Sequence, residues 1–106
     1  MTKNLYHIDR LPQGEDEFFE EILSQPGIRI ERIVSHGQTS PEGFWYDQDE
    51  SEWVVLLQGE AVLEFESGIK ENLIRGSHCH ILPHQKHRVT YTSSDPPCIW
   101  LAIFYS

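Results

Sequence analysis

Cysteine is scarce in this chain, because only Cys79 and Cys98 occur among its 106 residues. Two cysteines supply neither the disulfide framework of a small secreted scaffold nor the ligand set of a zinc finger. Long apolar runs are also missing, and none approaches the roughly 20 residues of a membrane-spanning helix. No signal-type apolar stretch follows Met1. We therefore expect a cytoplasmic protein that does not bind a membrane.

Basic residues are few as well. The chain has 8 Lys and Arg against 17 Asp and Glu, so its formal net charge is −9. Such an acidic chain repels phosphate backbones and anionic lipids, which excludes nucleic acid as an expected partner. It also lacks a phosphate-binding glycine loop. Its hydrophobic fraction of 39% is typical of a globular protein, and the length predicts one domain, residues 1–106.

Helical periodicity is confined to one segment near the N-terminus. Gly14 is followed by three acidic residues, 15–17, which suit the positive end of a helix dipole. Four apolar residues follow at helical spacing: Phe18, Phe19, Ile22 and Leu23. Pro26 and Gly27 are typical of a helix end. The pattern predicts one short helix over residues 14–25.

The rest of the chain has the pattern of short β-strands. Residues 53–57 form a nearly continuous apolar run, which indicates a strand buried on both faces. Ser67 and Gly68 suit a tight hairpin turn. Turn residues recur about every ten positions, which predicts an antiparallel all-β sandwich or small barrel.

Two sequence segments resemble the motifs of the cupin superfamily. Residues 52–59 have the form Glu-x6-Gly, as in the second half of the first cupin motif. The spacing of the second motif begins at Gly76 and places His84, His87 and Tyr91 at its Gly, His and Asn positions. The resemblance covers residues 28–106 and implies a double-stranded β-helix, the cupin jelly-roll barrel.

The His-x-His pair of the first motif is absent. Its places are taken by Trp45 and Asp47, or by Tyr46 and Gln48, depending on the spacer. The resemblance therefore carries metal ligation over to Glu52 and His87. Asp47 or Gln48 would supply oxygen ligands for a divalent ion, either Zn, Fe, Mn or Ni.

Three more residues are candidates for substrate binding: Tyr46, His84 and Tyr91. Tyrosine hydroxyls can hydrogen-bond a ligand, and histidine titrates near neutral pH. The competing interpretation makes Glu52 a solvated residue at a strand end and His87 an ordinary strand histidine. The sequence leaves both interpretations open.

The segment His78-Cys79-His80 is a second histidine cluster. Strand alternation places the two histidines on one face and Cys79 with Ile81 on the other. We expect Cys79 to face the core and the histidines to be exposed, although two histidines at this spacing can share a metal ion.

The resemblance implies a metal-binding cupin of undefined activity. Such a protein could be a metal-dependent enzyme, a dioxygenase or an isomerase, that acts on a small polar metabolite. The alternative is a cupin that binds or senses a small ligand without metal or catalysis, and a third is a structural protein with a filled barrel. Whether the protein is an enzyme stays open. Small cupins form dimers, so a homodimer is expected.

Overall fold

Eight β-strands make up the regular secondary structure of the chain, and the computed structural model describes every residue from 1 to 106. The strands are β1 Phe18–Gln25, β2 Ile28–Ser35, β3 Ser51–Gln58, β4 Ala61–Phe65, β5 Lys70–Leu73, β6 His78–Ile81, β7 His87–Thr92 and β8 Cys98–Tyr105. The fold is all-β, as the sequence predicts, and it has no helix that could span a membrane.

The strands form two antiparallel sheets that face each other. The larger sheet has the order β1-β2-β8-β3-β6, and the smaller one has the order β5-β4-β7. This is a jelly-roll sandwich whose two sheets are not joined by hydrogen bonds into one closed wall. The predicted closed barrel is therefore corrected to an open sandwich, although its inner faces still enclose a common interior.

The predicted helix over residues 14–25 is wrong, because this segment contains β1. β1 pairs with β2 along its length, from Phe18 opposite Val34 to Gln25 opposite Ile28. The register shifts between Glu21 and Leu23, which is the signature of a β-bulge. A bulge interrupts the two-residue alternation of a strand, so the apolar residues of β1 imitate helical spacing.

Pro26 and Gly27 connect β1 to β2 in a hairpin turn and do not end a helix. Gly27 has a backbone φ of +81°. A proline followed by a residue with positive φ is the pattern of a type II turn. The same two residues therefore suit either interpretation of the sequence, and only the pairing of β1 with β2 decides between them.

The hydrophobic core lies between the inner faces of the two sheets. Its twelve buried residues come from both sheets: Val54, Leu56, Ala61, Leu63, Phe65, Leu73, Ile81, Val89, Cys98, Trp100, Ala102 and Phe104. Strand β8 contributes four of these residues, β4 three and β3 two. Alternation along these strands turns every second side chain inward, which positions the polar residues described below.

The N-terminal residues lie against the outer face of the larger sheet. Arg32 of β2 is buried and donates hydrogen bonds from Nη1 to the carbonyl oxygens of Leu5 and His7, at 3.0 and 2.5 Å. Its Nε lies 2.8 Å from Glu20 Oε1. One guanidinium therefore attaches both the N-terminal segment and the edge strand β1 to the sheet.

Gly59 occupies a position where no other residue fits. Its backbone φ is +91°, and a Cβ atom added there would lie 2.8 Å from both Cys98 Sγ and Ser93 Oγ. We expect Gly59→Ala to lower the free energy of unfolding by about 2 kcal/mol or more, because backbone strain and a clash add. Urea denaturation measures this loss.

Gly68 is the matched control, since its φ is +96° but an added Cβ would meet no atom within 4 Å. Gly68→Ala should cost only the backbone strain, about 1 kcal/mol. Equal losses in the two variants would contradict the proposed clash at Gly59.

Candidate functional site

A cavity of about 60 Å³ lies between the two sheets. Thirteen residues line it: Glu17, Phe19, Ile33, Tyr46, Gln48, Glu52, Val54, Leu63, Ile81, His87, Val89, Trp100 and Phe104. Most of them are apolar, and no Lys or Arg is among them. The cavity is thus a mainly apolar space into which a few polar side chains project, the usual composition of a small-molecule site.

Glu52 is one of these polar side chains. It lies in β3 between Phe104 of β8 and Ile81 of β6, and alternation turns it toward the interior. Only 6% of the residue is exposed, and burial raises its pKa from 4.5 to about 7. Gln48 Nε2 donates a 2.8 Å hydrogen bond to Glu52 Oε1. The side chain is therefore a buried carboxyl group that titrates near neutral pH.

His87 faces Glu52 from the opposite sheet, at the start of β7. Its Nδ1 lies 2.9 Å from the carbonyl oxygen of Gln85. Because a carbonyl only accepts hydrogen bonds, Nδ1 carries the hydrogen and the neutral ring has a free lone pair on Nε2. Nε2 lies 3.7 Å from Glu52 Oε1, and burial lowers the pKa of His87.

Tyr46 covers the imidazole of His87. The two residues form an antiparallel bridge, in which Tyr46 N donates to the His87 carbonyl at 2.7 Å and His87 N donates to the Tyr46 carbonyl at 3.2 Å. Their rings stack with centroids 5.4 Å apart. Burial, together with the charges of Glu17 and Glu52, raises the pKa of Tyr46 to about 12. Its hydroxyl therefore keeps its proton and can donate a hydrogen bond.

Glu17 is a cavity residue that the sequence interpretation missed. It lies two positions before Phe19 in an extended segment, so both side chains project to the same side and both line the cavity. Glu17 Oε2 accepts a hydrogen bond from Ser35 Oγ, which in turn accepts one from Trp100 Nε1 at 3.0 Å. Burial raises the pKa of Glu17. A strand interpretation of residues 17–19 would have revealed it.

Asp47 and His84 lie outside the cavity and bind each other. His84 Nδ1 is 2.8 Å from Asp47 Oδ1, and its Nε2 is 3.4 Å from Asp49 Oδ1. His84 also has the one positive φ among the non-glycine residues, +62°. This residue stands at the glycine position of the second cupin motif, and the left-handed backbone explains why that motif has a glycine there.

Tyr91 is half-exposed and does not line the cavity. Regular alternation would place it on the same face as His87. However, β7 has an irregular register against β4, in which Leu63 pairs with Val89 while Val62 pairs with Tyr91. The extra residue reverses the alternation, which turns Tyr91 outward.

The structure thus brings together four of the seven predicted site residues: Tyr46, Gln48, Glu52 and His87. These four side chains do not supply enough ligands for a metal ion. Nowhere in the chain do three or more His, Cys, Asp or Glu side chains lie where they could share a metal ion. Gln48 presents its amide nitrogen, not its oxygen, to Glu52. One carboxylate and one imidazole fall short of the usual ligand number.

The second histidine cluster is on the outer face of the larger sheet, as its alternation predicts. His78 and His80 are exposed, and His80 Nε2 lies 2.5 Å from the hydroxyl of Tyr105. Cys79 faces inward and packs against the core, and both cysteines are free thiols. This cluster has no contact with the cavity.

Comparison with solved structures finds the same fold over most or all of the chain. A candidate mannose-6-phosphate isomerase from Ralstonia eutropha JMP134 superposes with a TM-score of 0.90 and 37% sequence identity, covering 100% of this chain and 98% of that one. A cupin superfamily protein from Desulfitobacterium hafniense DCB-2 has a TM-score of 0.73 at 16% identity, over 89% and 81% of the two chains.

An RmlC-like cupin from Methanocaldococcus jannaschii, with a double-stranded β-helix fold, has a TM-score of 0.72 at 17% identity. It covers 99% of this chain and 92% of its own. No family model matches the sequence, and no curated protein matches it.

The buried carboxyl group of Glu52 makes stability depend on pH. The unfolded chain releases this proton near pH 4.5 and the folded chain near pH 7, so stability falls as the pH rises between these values. Gln at position 52 stays neutral and can still accept the bond from Gln48. We expect Glu52→Gln to be more stable than the wild type at pH 8, by up to about 3 kcal/mol.

Urea denaturation at several pH values between 4.5 and 8 measures this difference. It should vanish near pH 4.5 and grow up to about pH 7, whereas the exposed control Glu15→Gln should show no such trend. Protonation of His87 lowers the stability of the fold as the pH falls below the ordinary pKa of histidine, and we expect this effect in the wild type and in Glu52→Gln alike. A constant difference across the pH range would contradict burial of an ionisable group at Glu52.

Proposed function

The chain belongs to the cupin superfamily, and on that premise we propose that its cavity transfers a proton on a small polar molecule bound between the sheets. The observation that carries the proposal is the separation of 3.7 Å between Glu52 Oε1 and His87 Nε2. These atoms come from opposite sheets and meet in a buried space. Such a pair is the arrangement that general acid–base catalysis requires.

The two groups complement each other chemically. Burial raises the pKa of Glu52 to about 7 and lowers that of His87, so near neutral pH the carboxyl can hold a proton while the imidazole is free to accept one. At 3.7 Å they are too far apart for a direct hydrogen bond. A ligand bound beside the pair, within hydrogen-bond reach of both groups, can therefore lose a proton to one group and receive a proton from the other.

Tyr46 has a supporting role in this proposal. Its hydroxyl keeps its proton and makes no hydrogen bond in the protein, so it can donate one to a carbonyl oxygen of the ligand. Removing a proton from the carbon beside a carbonyl places negative charge on that oxygen, and a positioned donor stabilises this charge. The apolar lining strengthens the interaction by excluding water.

The relative at 37% identity supports this type of reaction. A mannose-6-phosphate isomerase would interconvert an aldose and a ketose, a change that moves hydrogen between neighbouring carbons. The named substrate does not suit this cavity, however, because no Lys or Arg lines it to bind a phosphate and its volume is about 60 Å³. We therefore transfer the reaction class and not the substrate.

A metal ion is not part of the proposal, since the donor set contains too few ligands. Ligand binding without catalysis is the second candidate, and the small cavity volume favours it. Hydroxyacetone distinguishes these candidates, because it is small, uncharged and has exchangeable C–H groups beside its carbonyl.

The test follows exchange of the hydroxymethyl protons of hydroxyacetone in D₂O by proton NMR. The wild type should accelerate the exchange above the buffer rate, and Glu52→Gln and His87→Asn should each slow the catalysed exchange by about 100-fold or more. The rate should fall at low pH, where His87 is protonated, and above about pH 7, where Glu52 loses its proton.

His80→Asn is the control, since this histidine is on the outer face and should leave the rate unchanged. Treatment with EDTA should also have no effect. A rate that EDTA abolishes and a divalent metal restores would contradict the metal-free mechanism. Binding of hydroxyacetone without exchange would support the second candidate instead.

A further inference from the structure

We infer that Glu17 determines which ligands the cavity accepts, by favouring uncharged molecules with hydroxyl groups and excluding anions. This inference rests on the proposed function, because it concerns the ligand of the same cavity. It gives the cavity a second polar wall, which comes from a different part of the chain than the Glu52–His87 pair. That wall comes from the segment that leads into the edge strand β1.

The position of Glu17 is fixed by contacts on both sides of it. Its carboxylate binds Ser35 Oγ, which is held by the indole of Trp100. The preceding segment is held by Gln38, whose Nε2 lies 3.3 Å from the carbonyl oxygens of Pro12 and Gly14. Ser35 and Gln38 are both buried. Glu17 is therefore a positioned cavity residue and not a mobile surface acid.

The oxygen atoms of the two carboxyl groups point to a ligand that donates hydrogen bonds. Oε2 of Glu17 is engaged by Ser35 and Oε1 of Glu52 by Gln48, whereas the other oxygen of each group accepts no hydrogen bond from the protein. Neither of these two oxygens is a fully buried atom that lacks a hydrogen-bond partner. A hydroxyl hydrogen is the partner that each free oxygen lacks.

The charge of the lining leads to the same ligand class. Above their raised pKa values, Glu17 and Glu52 are both charged, and no Lys or Arg of the cavity lining offsets them. Like charges repel strongly in a space that excludes water. A carboxylate or phosphate would also lose its own hydration on entry without gaining a cationic partner. The site should thus bind short hydroxy compounds and reject their acidic counterparts.

Glycolamide and glycolate test this inference, because they have the same size and differ in charge. Each is titrated into the protein at pH 8.5, and binding is followed through the indole N–H signal of Trp100 in the nitrogen–proton NMR spectrum. We expect the wild type to bind glycolamide at least about tenfold more tightly than glycolate. In Glu17→Gln, which can still accept from Ser35, that preference should fall about fivefold or more.

Glu15→Gln is the matched control, since it makes the same change of charge in the same segment at an exposed position. It should keep the wild-type preference. Ser35→Ala is a second variant, which removes the anchor of Glu17 without changing its charge and should also weaken the preference. Equal affinity of the wild type for both probes, an unchanged preference in Glu17→Gln, or no binding of glycolamide would overturn the inference.

The binding experiment and the exchange experiment can refute their hypotheses separately. Selective binding of glycolamide without exchange of hydroxyacetone would refute the acid–base reaction and leave the specificity role of Glu17 intact. Exchange of hydroxyacetone with no discrimination between the two probes would refute the role of Glu17 and leave the reaction intact.

Discussion

The burial of one carboxyl group is the constraint on which the rest of the site depends. Glu52 belongs to a strand that is paired on both sides, so its side chain cannot turn to solvent without a shift in register. Inside, it has a single hydrogen bond from Gln48 and no cationic partner. This arrangement lowers the stability of the fold above the ordinary pKa of a glutamate, and groups with such shifted pKa values cluster at functional sites.

Spacing along the sequence predicted that four residues of the cavity lie together. Glu52 and His87 were identified from cupin motifs, and Tyr46 and Gln48 from their place before the glutamate; all four line the cavity. These residues lie in the regular parts of β3 and β7 or next to them, where spacing along the chain determines which face a side chain occupies. The all-β fold followed from the same alternation and from turn residues.

The errors occurred where local geometry departs from that regularity. A bulge in β1 gave Phe19 and its neighbours a helical spacing, and this interpretation hid Glu17. A shift in the register of β7 turned Tyr91 outward. Of the two alternatives Asp47 and Gln48, only Gln48 lies beside Glu52, because Asp47 contacts His84 of another loop. Bulges and contacts between loops depend on tertiary structure, so periodicity along the chain cannot reveal them.

The cavity has walls of two different kinds. Glu52 and His87 belong to strands whose inner neighbours form the core, so changing their surroundings would disturb packing throughout the sandwich. Glu17 and Phe19 belong to the edge strand β1 and the segment before it, and β1 contributes no residue to the hydrophobic core. The outer wall can therefore change in sequence while the inner one is kept, which would alter the lining of the cavity without repacking the core.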